Sequence, residues 1–118
     1  MYRVVVADDE TEFRTWLRAL LSSCDDFQVV GEACNGEEAL SLLNRLNPDL
    51  VIADLYMPEP DGLEIARYIQ KNYPDMKAIL VSAHKERICE KLAHDEGALA
   101  FIPKSGLSLG ELRHALGQ

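Results

Sequence analysis

The segment Asp49-Leu-Val-Ile-Ala-Asp-Leu-Tyr-Met-Pro58 decides the fold. Leu50 to Ala53 is a short apolar run with no polar alternation, the pattern of a strand covered on both faces and therefore of a parallel sheet. It ends abruptly in a carboxylate, Asp54, where burial without a partner is costly. Two further runs read the same way, Val4-Val-Val-Ala7 and Ala78-Ile-Leu-Val81, and Gln28–Ala33 and Ala98–Ile102 supply two more strands. Helical stretches separate them. Phe13, Trp16, Leu17, Leu20 and Leu21 recur at the spacing of one helix face. Asn35 precedes a second helix as a capping side chain, with Glu38 three residues on and Ala39, Leu40, Leu42, Leu43 and Leu46 as its apolar stripe. A third helix runs from Asp61 to about Asn72 before Pro74, and a fourth from Lys85 to Glu96 before Gly97. Leu109, Leu112 and Leu116 mark a short fifth. Five alternations of strand and helix predict an α/β, doubly wound parallel sheet with helices on both faces.

The 118 residues predict one domain, 1–118, with 47% hydrophobic residues, enough to bury a core without disulfides. Cys24, Cys34 and Cys89 are odd in number and widely spaced, and are read as reduced structural thiols. Twenty acidic against twelve basic residues give a net charge of −8, which disfavours direct binding of nucleic acid by this segment. The longest apolar run, Ala98–Ile102, is far too short to cross a membrane, and the N-terminus enters a strand without a leader. A cytoplasmic location is expected.

In open parallel sheets the functional crevice lies beyond the carboxyl ends of the strands. Asp8 and Asp9 follow the first strand, Asp54 ends the third, Ser82 the fourth, and Lys104 follows the fifth. Taken singly, Asp8 and Asp9 also suit a helix cap, and Asp61-Gly62 a turn. Taken together, three carboxylates in one crevice repel one another and call for a cation. A hard divalent ion such as Mg²⁺, with oxygen ligands, meets that need. Lys104 and Ser82 then supply a charge and a hydroxyl donor for an anion held beside it.

These residues carry a resemblance. Val4-Val-Val-Ala-Asp-Asp-Glu10, Asp49 to Pro58 with Asp61-Gly62, Leu80-Val-Ser-Ala83 and Ala98-Leu-Ala-Phe-Ile-Pro-Lys104 together resemble a response-regulator receiver domain over essentially the whole chain. The resemblance implies the flavodoxin-like (βα)5 fold with strand order 2-1-3-4-5. It implies Asp54 as phosphoacceptor, Asp8 and Asp9 as the acidic Mg²⁺ pocket, and the Tyr56 backbone carbonyl as a further metal ligand. It also implies Ser82 as the switch hydroxyl, Lys104 as the phosphate-contacting lysine and Phe101 as the switch aromatic, a position a plain core aromatic would equally fill. Tyr56 and His84 fall at the two variable positions that flank the attacking water in dephosphorylation.

The implied function is a switch in a two-component system, taking a phosphoryl group from a histidine kinase. The chain would act chemically only on itself and is not expected to be a turnover enzyme. Its helix 4, strand 5 and helix 5 surface would change on phosphorylation and could pair receivers as a homodimer. The stretch Phe101-Ile-Pro-Lys-Ser105 is similar to that of LuxR-type regulators, whose DNA-binding output domain would lie beyond residue 118. Alternatives are a pseudo-receiver or stand-alone interaction module, an Asp-nucleophile phosphatase, or a nucleotide- or flavin-binding protein. A phosphatase wants a second carboxylate two residues past the nucleophile, where Tyr56 stands. A phosphate-binding loop would not carry Asp8-Asp-Glu10.

Overall fold

The computed structural model describes residues 1–83 and 87–118. The elements are β1 (Tyr2–Ala7), α1 (Thr11–Ser22), β2 (Phe27–Ala33), α2 (Gly36–Leu46), β3 (Leu50–Asp54), α3 (Gly62–Asn72), β4 (Lys77–Ser82), α4 (Arg87–Asp95), β5 (Ala100–Pro103) and α5 (Leu109–Ala115). All strand pairs are parallel and the sheet order is β2-β1-β3-β4-β5, as expected from the sequence.

Each central strand feeds two cores, which is why its apolar run is unbroken. Val5, Ala7, Val51, Ala53 and Leu80 face one layer with Leu43, Ile65, Ile69 and Cys89. Val4, Val6, Leu50, Ile52, Ile79 and Val81 face the other with Leu17, Leu21 and Leu112. Asp54 therefore closes a strand whose five residues are all buried.

Local chemistry sets the element ends. The Asn35 side chain accepts from the Glu38 amide at 2.9 Å, while the Glu38 carboxylate accepts from the Cys34 amide at 2.8 Å. Asp61 and Glu64 form a reciprocal capping box that starts α3. Gly97, at φ 85°, ends α4: its amide bonds the His94 carbonyl and the Ala98 amide bonds the Ala93 carbonyl. This exit uses Ala98, and β5 begins at Ala100 rather than at Ala98 as expected, although the Leu99 amide already bonds the Ala78 carbonyl of β4 at 2.7 Å. The start of α4 expected at Lys85, and His84, lie outside the described residues. Ile102–Pro103 is trans, and the described cis bond is Glu59–Pro60.

Candidate functional site

The parallel register brings the ends of β1, β3 and β4 level, so Ala7 pairs with Ala53 and Asp54 with Val81. Beyond them opens a crevice of about 280 Å³ lined by Asp9, Glu10, Asp54, Tyr56, Ser82 and Lys104.

Asp8 is fully buried. Its Oδ1 accepts from the Glu10 amide at 2.8 Å, and its backbone carbonyl accepts from Arg14 Nη1 at 2.5 Å. The Asp8 and Asp9 side chains do not cap α1; Glu10 is the N-cap residue and makes no side-chain cap bond. Asp54 is held from two sides: Oδ1 accepts from the Tyr56 amide at 3.0 Å and Oδ2 from Lys104 Nζ at 3.1 Å. Close behind it, the Leu55 amide bonds the Val81 carbonyl at 2.8 Å and so ties the loop after Asp54 to β4.

Lys104 organises the electrostatics. Its Nζ lies 2.7 Å from Glu10 Oε1, 2.9 Å from Asp8 Oδ2 and 3.1 Å from Asp54 Oδ2, and 4.3 Å from the centre of the Phe13 ring. Burial opposes its charge, but the carboxylates of Glu10, Asp8 and Asp54 outweigh that effect and push its pKa upward. Asp8 moves upward as well, chiefly because burial penalises its carboxylate, with the Asp54 charge adding to that and Lys104 opposing it.

The buried Asp8 carboxylate belongs to a cluster of acidic oxygens. Asp8 Oδ2 has the ion contact with Lys104 but no hydrogen bond of good geometry. Oxygens of Asp8, Glu10 and Asp54 lie within 4.8 Å of one another. A set of hard anionic oxygens this close together suits Mg²⁺.

The structure thus gathers Asp8, Asp54, Ser82, Tyr56 and Lys104 as the sequence predicts. Asp9 lines the crevice but is exposed and stands outside the carboxylate trio, where Glu10 takes the third place. Ser82 is fully buried at the end of β4. Phe101 lies away from the crevice, half-buried against the core layer beneath α4. Glu10, Arg14, Phe13 and Cys89 are contributors that pattern reading did not single out. Glu10 alone had a visible signal, its place directly after the aspartate pair.

The model of the family described as response regulator receiver domain matches residues 4–116. The chain is a receiver domain of that family. Among curated proteins, this receiver is 36% identical over 116 residues to response regulator GacA of Pseudomonas viridiflava, covering 98% of this chain and 54% of that protein. It is 36% identical over 99 residues to the uncharacterized transcriptional regulatory protein YhcZ of Bacillus subtilis, covering 84% of this chain and 46% of that protein. The chain thus spans about half the length of these two relatives. Among solved structures, the signal receiver domain of the response regulator NarL from Mycobacterium tuberculosis superposes with a TM-score of 0.88 at 33% identity, covering 99% of this chain and 98% of that one. A LuxR-family DNA-binding response regulator from Staphylococcus aureus superposes equally well, with a TM-score of 0.88 at 27% identity, covering 99% of this chain and 97% of that one. The acidic cluster of this receiver sits where the fold expects its site, at the strand ends. No described helix is long and apolar enough to cross a membrane.

Proposed function

We propose that this receiver is a phosphorylation switch whose phosphoacceptor is Asp54. The observation that carries the reading is the state of that carboxylate. It ends a buried strand, is bonded through Oδ2 to Lys104, and faces an open crevice beside Asp8. An Asp54 oxygen attacks the phosphorus of a phosphohistidine on a sensor kinase, the P–N bond breaks, and the imidazole leaves with that electron pair. Such a transfer asks the protein mainly for positioning and charge neutralisation. Lys104 takes up phosphoryl charge, and Ser82, at the end of β4, offers its hydroxyl to a phosphoryl oxygen. Mg²⁺, when bound by Asp8, Asp54 and the Tyr56 carbonyl with Asp9 or Glu10 in support, would offset the negative charge of the acceptor site.

The new charge draws Ser82 and Lys104 inward and alters the face built from α4, β5 and α5. Phe101 borders a groove of about 620 Å³ on that face together with Arg87, Glu90, Lys91, His94 and Leu99. Exposed Ile88, Leu92 and Leu99 make it a surface for pairing two receivers. Output to DNA would pass through a LuxR-type domain outside these residues, in the cytoplasm. The receiver turns over no separate substrate. The phosphatase alternative lacks its acid, because Tyr56 stands two residues past Asp54, and a receiver used only for interaction would not require Asp8, Asp54, Ser82 and Lys104 together.

Incubation with acetyl phosphate and Mg²⁺, followed by intact-mass measurement, tests the reading. One added phosphate is expected, absent in Asp54→Ala. Phosphate retained in that variant would remove Asp54 as the acceptor.

A further inference from the structure

We propose that Phe13, in the first turn of helix α1, is a positioning residue for phosphoryl transfer to Asp54, acting through Lys104; this rests on the phosphoacceptor reading above. Strand β1 ends at Ala7 and α1 begins at Thr11, so the start of the helix stands at the rim of the crevice. A helical side chain leans back toward the N-terminus of its helix, which turns the Phe13 ring toward that rim. Lys104 Nζ lies over the face of the ring, 4.3 Å from its centre.

The neighbours of Lys104 differ in how firmly they are held. Phe13 packs against the core layer of Leu17 and Leu21, and Trp16 flanks it with the two ring centres 5.7 Å apart. Glu10 makes the shortest of the Lys104 contacts, 2.7 Å, yet its side chain is mostly in solvent. The Lys104 side chain is largely buried, so the attraction between ammonium and ring face is only partly screened. A flexible four-carbon stem lets the ammonium follow Glu10 outward. The ring, fixed by packing, holds it within reach of Asp8 and Asp54.

Phosphoryl transfer makes that restraint count. With acetyl phosphate as donor, an Asp54 oxygen bonds to phosphorus and the bond to the acetate oxygen breaks, its electron pair leaving with acetate. Once Asp54 is an acyl phosphate it no longer offers Lys104 a free carboxylate, and the ammonium turns one of its three donors to a phosphoryl oxygen. The carboxylate contacts are exchanged in this step, whereas the neutral ring keeps its attraction throughout. An ammonium resting on Phe13 begins the step in place, with less freedom to lose. One that has drifted out with Glu10 has to return first.

The test follows the gain of phosphate over time by intact mass, with acetyl phosphate and Mg²⁺. Phe13→Leu, which keeps an apolar side chain without a ring face, should slow the gain by roughly two- to tenfold, the scale of one cation–π contact. Phe13→Met should slow it likewise, and carries the test where a gap left by leucine weakens folding. Phe13→Tyr keeps the ring face and should stay near the wild-type rate. In Lys104→Met there is no ammonium to place, so adding Phe13→Leu should slow that chain by less than about twofold. A role for Phe13 in packing alone would slow phosphorylation equally with and without Lys104. Wild-type rates in both ringless variants, an equal loss in Phe13→Tyr, or a Phe13→Leu effect that persists in full beside Lys104→Met would each overturn the inference while leaving Asp54 as acceptor. A wild-type chain that gains no phosphate would overturn the functional reading itself, and this inference with it.

Discussion

Lys104 Nζ and Asp54 Oδ2 lie 3.1 Å apart across fifty residues of chain, and the same ammonium touches Glu10 at 2.7 Å. The two contacts differ in burial. The Asp54 side chain is 9% exposed and that of Glu10 63%. Removing the cation strands buried carboxylates, whereas removing Glu10 breaks only a solvent-screened pair. Lys104→Met should therefore cost about 1–3 kcal/mol in urea unfolding without divalent metal, and Glu10→Gln less than about 1 kcal/mol. Equal losses in the two variants would contradict this division.

Mg²⁺ should stabilise the folded chain by about 1.4 kcal/mol at ten times its dissociation constant, because it binds the clustered carboxylates only when they are assembled. Asp8→Asn should remove nearly all of that gain, since Asp8 contributes a fully buried carboxylate to the cluster. Asp9→Asn should reduce it. Thermal melts with and without the metal measure both, and a full shift retained in Asp8→Asn would place the ion elsewhere.

Asp8 also predicts a pH dependence. Burial raises its pKa in the folded state, so between the ordinary and the raised value the native chain holds a proton that the unfolded chain has released. Its contribution to stability thus falls as pH rises through that window and stays unfavourable above it. In EDTA, the stability of Asp8→Asn relative to wild type should increase as pH rises above the ordinary carboxylate range and then level off. A difference independent of pH, measured by urea titration across the series, would contradict the assignment to Asp8.

Gly62 offers a structural probe of Asp54 as the proposed acceptor. A Cβ there would collide with the Asp54 carbonyl oxygen and come within 2.9 Å of Leu55 Cα, with backbone on both sides. Gly62→Ala should cost about 1–3 kcal/mol as overpacking and slow phosphorylation of Asp54. Gly106→Ala, where no atom lies within 4 Å, serves as the control and should leave both unchanged. Normal phosphorylation in Gly62→Ala would show that this close approach does not position the acceptor.

Much of this arrangement is legible in the sequence because parallel strands leave a simple mark. Val4–Ala7, Leu50–Ala53 and Ala78–Val81 are apolar throughout since both faces are covered, and the polar residue that breaks each run marks the functional edge. Where a helix exit runs straight into a strand, the mark is lost: Ala98 extends the apolar run of β5 but its amide bonds back to α4. The stripe on α1 misleads in a similar way. Leu17 and Leu21 are buried, but Trp16 is 45% exposed, because the sheet covers a narrower band of the helix than its apolar residues span. Side-chain reach is less legible still. Glu10 meets Lys104 across 94 positions, and Cys89 meets Tyr56 across 33, through contacts that no local pattern encodes.

The bidentate pair of Arg67 on α3 with Glu96, just past the end of α4, has a mechanical consequence. Its two contacts, 2.6 and 3.0 Å long, fasten one end of a nine-residue helix, beside the tight turn at Gly97. At a rise of 1.5 Å per residue the opposite end lies roughly 12 Å from that fulcrum, so a tilt of about 10° carries Arg87 through about 2 Å while Asp95 scarcely shifts. A tilt of helix α4 about its Glu96 end would thus act as a lever, with the long arm toward the crevice.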